Sequence, residues 1–241
     1  MHSDQEPHFY GRRQGRKIRK AKTSLLDKFL PEIAITSSTI IDKQTLFGTK
    51  INQICLEIGF GNGEHIAGQA LKNPQTGFIG AEVFKNGVAN LLTLITGIKQ
   101  ADQVPETIKL LPQRVDNIRI YADDIRLLFS RMPDNFLDKV FLLFPDPWPK
   151  KRHADRRFIN PDNLKEIARI LKPGGIFRIA TDHPVYKRWV LRQMHQNKNF
   201  IWTAKCGNDW KHPPKDWVET KYQRKAVFEG RRPVFFDYLR L

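Results

Sequence analysis

From residue 51 to residue 196 the chain alternates short apolar segments with amphipathic stretches, and each apolar segment closes on a glycine turn or a carboxylate. Apolar runs over residues 51–59, 77–83, 117–121, 139–144 and 176–181 read as strands buried on both faces. Helical patterns at 63–71, 85–98, 124–129, 160–171 and 184–196 fall between them, and Val88, Leu91, Leu92 and Ile95 share one face of the second. This alternation predicts an α/β chain: a mostly parallel, doubly wound, Rossmann-like sheet with helices on both faces. Ligands of such sheets bind beyond the carboxyl ends of the strands, near the point where strand order reverses. The turn 59–63, Glu82, Asp123, Asp146 and Asp182 all fall at predicted strand ends. Segments 221–228 and 234–239, around Gly230-Arg-Arg-Pro233, predict a C-terminal antiparallel hairpin. Residues 23–30 predict a short helix that Pro31 ends, and residues 100–116 a longer connection.

The first turn reads Glu57-Ile-Gly59-Phe-Gly61-Asn-Gly63-Glu-His65. Glycines at a strand-to-helix turn let the backbone approach a ligand, and the amides of the new helix face it. The dinucleotide fingerprint needs G-x-G-x-x-G, and the third glycine here comes one residue early. The chain also lacks the G-x-x-x-x-G-K-[ST] string of a P-loop. E-x-G-x-G-x-G instead resembles the first motif of class I S-adenosylmethionine-dependent methyltransferases. Glu82, 19 residues beyond Gly63, ends the next apolar run, where a carboxylate accepts both hydroxyls of a ribose.

The fourth apolar run drives into Pro145-Asp146-Pro147-Trp148, and five Lys or Arg follow within residues 150–157. Two prolines stiffen the backbone around the carboxylate. The indole either stacks on a base or anchors the loop. The cations either grip phosphates or form a solvated run. Composition favours the phosphates: 41 Lys and Arg against 25 Asp and Glu give a net charge of +16, which suits a polyanionic partner. Apolar runs fall short of the ~20 residues of a membrane span, so no membrane association is expected. Residues 1–9 are polar, without the apolar stretch of a signal peptide. Cys55 and Cys206 form no C-x-x-C and the histidines no H-x-x-x-H, which predicts a cytoplasmic protein without a metal. Residues 1–45 read as a basic arm with a short helix, and 46–241 as the main domain. Seven of the thirteen residues from Tyr10 to Lys22 are Lys or Arg, either a solubilising tail or an arm that orders on RNA.

E-I-G-F-G-N-G-E-H, I-G-A-E-V, F-P-D-P-W-P-K-K-R-H, L-K-P-G-G, T-D-H-P-x-Y and the terminal T-K-Y-Q together resemble the bacterial tRNA (guanine-N(7))-methyltransferase family over residues 51–241. The Arg-Arg-Gln-Gly-Arg of the arm is similar too. The resemblance implies methyl transfer from S-adenosylmethionine to ring nitrogen 7 of the variable-loop guanine in tRNA, without an obligatory partner subunit. It implies cofactor contacts at Glu57, the turn Gly59, Gly61 and Gly63, Glu82, Asp123 and Asp146, with Asp124 an alternative to Asp123. Substrate contacts fall on Lys150, Asp182, Thr220, Lys221, Tyr222 and Gln223, with RNA contacts over Arg152, His153, Arg156 and Arg157. The family usually has glutamate where this chain has Gln223, so that contact is neutral here. Guanine nitrogen 7 carries a lone pair and no proton, so attack on a sulfonium methyl needs no general base. Asp146 is the carboxylate expected where positive charge develops.

Other classes fit less well. Methyltransferases of exocyclic amines usually carry Asn/Asp-Pro-Pro-aromatic, whereas Trp148 follows Pro147 directly. A nicotinamide oxidoreductase wants the other glycine spacing, and a non-catalytic RNA-binding protein leaves Glu57, Glu82 and Asp123 idle.

Overall fold

The computed structural model describes residues 7–105 and 116–241. Helices α1 (Lys20–Lys28), α2 (Leu30–Ile33) and α3 (Lys43–Phe47) precede β1 (Gln53–Ile58). Then follow α4 (Glu64–Lys72), β2 (Thr76–Ala81), α5 (Lys85–Thr96), β3 (Ile118–Tyr121), α6 (Arg126–Phe129) and β4 (Leu137–Leu143). The remainder comprises α7 (Pro161–Ile170), β5 (Leu171–Thr181), α8 (Pro184–Gln196), β6 (Phe200–Trp202), α9 (Asn208–Lys211), α10 (Lys221–Phe228) and β7 (Val234–Arg240). Among the described residues the strands form one seven-stranded sheet in the order β3-β2-β1-β4-β5-β7-β6. Strands β1 to β5 run parallel; β7 is antiparallel to β5, and β6 to β7. Strand order reverses between β1 and β4, so both ends of that crevice belong to neighbouring parallel strands.

Alternation along each strand supplies two cores. Ile54, Leu56 and Ile58 of β1 join the cluster that Leu164, Ile167, Tyr186 and Val190 of α7 and α8 complete. Cys55, from the same strand, joins Ile66 of α4, Leu91 and Leu92 of α5, and Leu25 and Phe29 from the α1 region on the other face. Buried on both sides, the sheet is doubly wound, as the alternating pattern predicts.

The C-terminus departs from expectation. Residues 221–228 form helix α10 rather than a strand, because Thr220 caps the helix, its hydroxyl accepting from the Gln223 amide at 3.1 Å. Gln223 and Ala226, three apart, are buried, which is a helical spacing. The antiparallel partners of β7 are therefore β5 and the short β6, not residues 221–228. Pro31 does not end a helix but sits in the first turn of α2, where its missing N–H costs nothing. Residues 172–175, Lys-Pro-Gly-Gly, are absorbed into β5, whose pairing with β4 skips from Leu171 to Ile176. Most of the connection 100–116 lies outside the described residues. No described helix is long and apolar enough to cross a membrane.

Candidate active site and nucleic-acid interface

A cavity of about 640 Å³ opens at the β1/β4 crevice. Gly59 and Gly61 line one side with Glu82 and Asp123; Asp146, Trp148 and Arg156 line the other, and Tyr222 reaches in from α10.

The glycine turn needs its glycines. Gly59, Gly61 and Gly63 take φ of 67°, 58° and 83°, a region that side-chain-bearing residues avoid. A Cβ on Gly61 would lie 2.9 Å from the Tyr222 ring. Gly87 of α5 was not singled out by the sequence, yet a Cβ there would meet the Gly61 carbonyl at 2.2 Å. The turn is thus clamped between α5 and α10.

Glu82 follows β2 and closes that clamp. Its two oxygens accept from the amides of Gly61 at 2.7 Å and Phe84 at 2.8 Å. Burial raises its carboxyl above the usual range, against the pull of those amides. Asp123 accepts from Arg13 at 2.9 Å and keeps a partly exposed carboxylate. Its neighbour Asp124 is buried and bound by both Nε and Nη2 of Arg126, so Asp123 is the more exposed of the two carboxylates at the cavity. Glu57 does not line the cavity. It sits buried on the opposite face of β1 from Ile58, bonded at 2.7 Å to Nδ1 of His65.

The loop after β4 is held under strain. Phe144 and Trp148 take φ of 52° and 40° without being glycines, on the order of 1–3 kcal/mol each. Arg157 holds the loop in place: its guanidinium donates to the Pro147 and Trp148 carbonyls (2.9–3.3 Å) and lies over the Trp189 ring at 4.5 Å. Trp189 in turn donates its indole N–H to the Ile159 carbonyl at 2.6 Å. Arg157 is buried, so the expected RNA contact is replaced by a brace. Asp146 stands exposed at the cavity wall, and partial desolvation by that wall raises its carboxyl.

Lys150 and Arg152 stay exposed beside this loop. His153 meets the Trp148 ring edge-on, centroids 5.8 Å apart. Desolvation and then the cations Arg156, Arg152 and Lys150 lower its pKa. Arg156 faces the cavity. Asp182 lies apart from the cavity lining and accepts from Arg231 at 2.5 Å. Thr220 and Gln223 are buried, and Gln223 accepts from the Trp217 indole at 2.5 Å. Lys221 is exposed, whereas Tyr222 enters the cavity, its hydroxyl pKa raised by burial and then by Glu82, Asp146 and Glu64. No metal-holding cluster of His, Cys, Asp or Glu occurs among the described residues.

The position of the arm at the cavity is what sequence reasoning missed. Residues 8–12 form one wall of the cavity, without regular secondary structure. The signals were the Tyr10 ring, the spaced glycines and the family-like Arg-Arg-Gln-Gly-Arg string inside an otherwise solvated charge run.

A family model described as a putative methyltransferase matches residues 51–235. The tRNA (guanine-N(7)-)-methyltransferase of Rhodospirillum rubrum is 41% identical over 241 residues, covering 98% of this chain and 89% of that protein. Those of Azorhizobium caulinodans and Zymomonas mobilis are each 40% identical, covering 97% and 96% of this chain and 95% and 94% of theirs. Among solved structures, the 16S rRNA methyltransferase KamB superimposes with a TM-score of 0.54 at 13% identity, over 83% of this chain and 95% of that one. Similarity at this level over nearly the whole length, with the glycine turn and the Pro-Asp-Pro-Trp loop meeting at one cavity, means that the chain belongs to the tRNA (guanine-N(7)-)-methyltransferase family.

Proposed function

We propose that this protein transfers a methyl group from S-adenosylmethionine to ring nitrogen 7 of the variable-loop guanine of tRNA. The carrying observation is that the two motifs the resemblance rests on line one cavity, in a chain 41% identical to an enzyme of that name. The cavity suits the donor. A glycine cradle that a Cβ would fill lies beside Glu82, a carboxylate able to accept ribose hydroxyls, and Asp123, a carboxylate able to accept from an amino group. When bound, S-adenosylmethionine supplies an electrophilic methyl on a cationic sulfur.

The residues of the chain then have only to position and neutralise. Nitrogen 7 attacks with its own lone pair, and the guanine ring becomes cationic as the new bond forms. Asp146 offers a fixed negative charge at that ring, preorganised by two prolines and the Arg157 brace. A site that stabilises developing charge in this way lowers the barrier by about 3–4 kcal/mol per group. Lys150, Arg152 and Arg156 present cations to the phosphates that flank the base, and a net charge of +16 draws the polyanion in. His153 has no proton to move and serves as an edge contact for Trp148. Glu57 and Gln223 act behind the cavity, through His65 and Trp217, by fixing the turn and α10. On this reading the protein works in the cytoplasm without an obligatory partner subunit.

The test is methyl transfer from labelled S-adenosylmethionine to unmodified tRNA, followed by nucleoside analysis. Label in 7-methylguanosine is the expected result; label in another nucleoside overturns the assigned atom.

A further inference from the structure

Resting on that reading, one cluster goes beyond it. The Tyr10 ring and the Trp148 indole meet edge-to-face with centroids 6.3 Å apart. The Arg156 guanidinium lies over both, 4.5 Å from the Tyr10 centroid and 5.1 Å from that of Trp148. All three line the cavity, and Trp148 is two residues from Asp146. Tyr10 is not on a loose tail. The Arg126 guanidinium donates to the His8 carbonyl at 3.0 Å, and the Lys85 amide to the Arg13 carbonyl at 2.9 Å. Asn86 then accepts from the Gly15 amide at 2.9 Å and donates to the Arg16 carbonyl at 2.8 Å. Anchors on both sides of Tyr10 fix where its ring stands.

We infer that Tyr10 and Trp148 form a right-angled aromatic slot, in which the reacting guanine stacks on one ring and sets its edge against the other, and that Arg156 fills this slot until a tRNA phosphate draws it out. The chemistry runs in three steps of argument. A guanidinium is flat and cationic, and in the corner between the two nearly perpendicular rings it is held by their electron-rich π systems. A guanine methylated at nitrogen 7 is also flat and cationic, whereas the unreacted base is flat and neutral. The rings therefore favour the charged ring that forms during transfer over the neutral one that enters, which is how a site accelerates rather than merely binds. Arg156 cannot stay, because a second cation in the slot would oppose the developing charge. Lys150 and Arg152, exposed on the same loop, mark the phosphate path along which it leaves. The arm is thereby part of the catalytic unit rather than a solubilising tail.

The experiment compares wild type, Tyr10→Leu, Tyr10→Phe and Arg156→Ala on unmodified tRNA, with S-adenosylhomocysteine affinity and thermal melting measured alongside. Tyr10→Leu should lower kcat roughly tenfold to a hundredfold, the size of one lost base–aromatic contact, while cofactor affinity and melting stay near wild type. Tyr10→Phe, which keeps the ring, should restore most of the rate. Arg156→Ala should flatten the salt dependence of tRNA binding by a slope of about 0.7–0.9, one phosphate contact. A Tyr10→Leu enzyme with wild-type kcat overturns the slot, as does one whose cofactor affinity falls in step with its rate. An unchanged salt slope for Arg156→Ala overturns the exchange. Wild-type protein that forms no 7-methylguanosine fails before any variant is compared, and removes the underlying reading together with the slot.

Discussion

Two turns leave adjacent parallel strands at the reversal of strand order, and they reach similar backbone shapes by opposite means. The turn after β1 uses glycine at each of its left-handed positions and is clamped by the Glu82 carboxylate and α5. The loop after β4 forces Phe144 and Trp148 into the same region and is held from outside by Arg157. The first spends its conformational freedom on letting a ligand approach the backbone. The second keeps its side chains, because an indole and a carboxylate are what it has to present. A rigid floor and a strained, braced wall thus face each other across the cavity, and the proposed function gives the floor to the cofactor and the wall to the base.

Each side can be broken separately. The largest effect belongs to Asp146→Asn, which should lower kcat on the order of a thousandfold while tRNA binding and melting temperature hold. Partial desolvation raises the Asp146 carboxyl, so in wild type the acid limb of the single-turnover rate should lie above the ordinary carboxylate range. The rate is expected to fall as pH drops through that limb. Residual activity of Asp146→Asn should lose this limb; a profile that keeps it would assign the titration to another group. Arg157→Ala comes next. Releasing two carbonyls and the Trp189 stack should cost about 2–3 kcal/mol in denaturant unfolding and reduce the rate as well. Full stability in this variant would show that the wall needs no brace.

On the floor, Gly61→Ala should weaken S-adenosylmethionine binding roughly tenfold or more by calorimetry, since the new methyl meets both strain and the Tyr222 ring. An unaltered affinity would contradict the clamp. The smallest effect lies away from both turns. Burial works against Asp216, yet bonds to Lys139 and Arg178 hold its pKa down at about 2. A depressed carboxylate stabilises the fold above its unfolded value and loses that contribution as pH falls from about 4 towards 2. Asp216→Asn should therefore destabilise by on the order of 1 kcal/mol at pH 7, its half-exposed carboxylate being screened. The gap should close at acid pH.

The same contrast explains what could be read without a structure. The floor was legible because glycine spacing and the Glu82 interval state a backbone requirement directly. Helix α8 was equally plain, its bounds set by Pro184 at the start and a loss of apolar period at the end. The wall was legible in its motif but not in its support. Arg156 and Arg157 are neighbours of the same type and both line the cavity, yet only Arg157 is buried and bonds the carbonyls of the loop. Charge patterning sees them as one strip. Glu57 was misplaced for a related reason: a motif residue one position from the cavity lining lies on the other face of its strand. Residues 221–228 looked extended because Tyr, Val and Phe favour strands, whereas the Thr220 cap and the buried Gln223 and Ala226 decide for a helix. Tyr10 was hidden because its partners lie more than 130 residues away in the chain.

The most direct test of the account is methyl transfer to two tRNA transcripts that differ at one atom. One carries guanosine at the variable-loop position and the other 7-deazaguanosine, in which a C–H replaces nitrogen 7. The account predicts label in 7-methylguanosine from the first and none at that position in the second, with both transcripts bound equally. Equal labelling of the two would contradict attack by nitrogen 7, and with it the roles given to Asp146 and the wall.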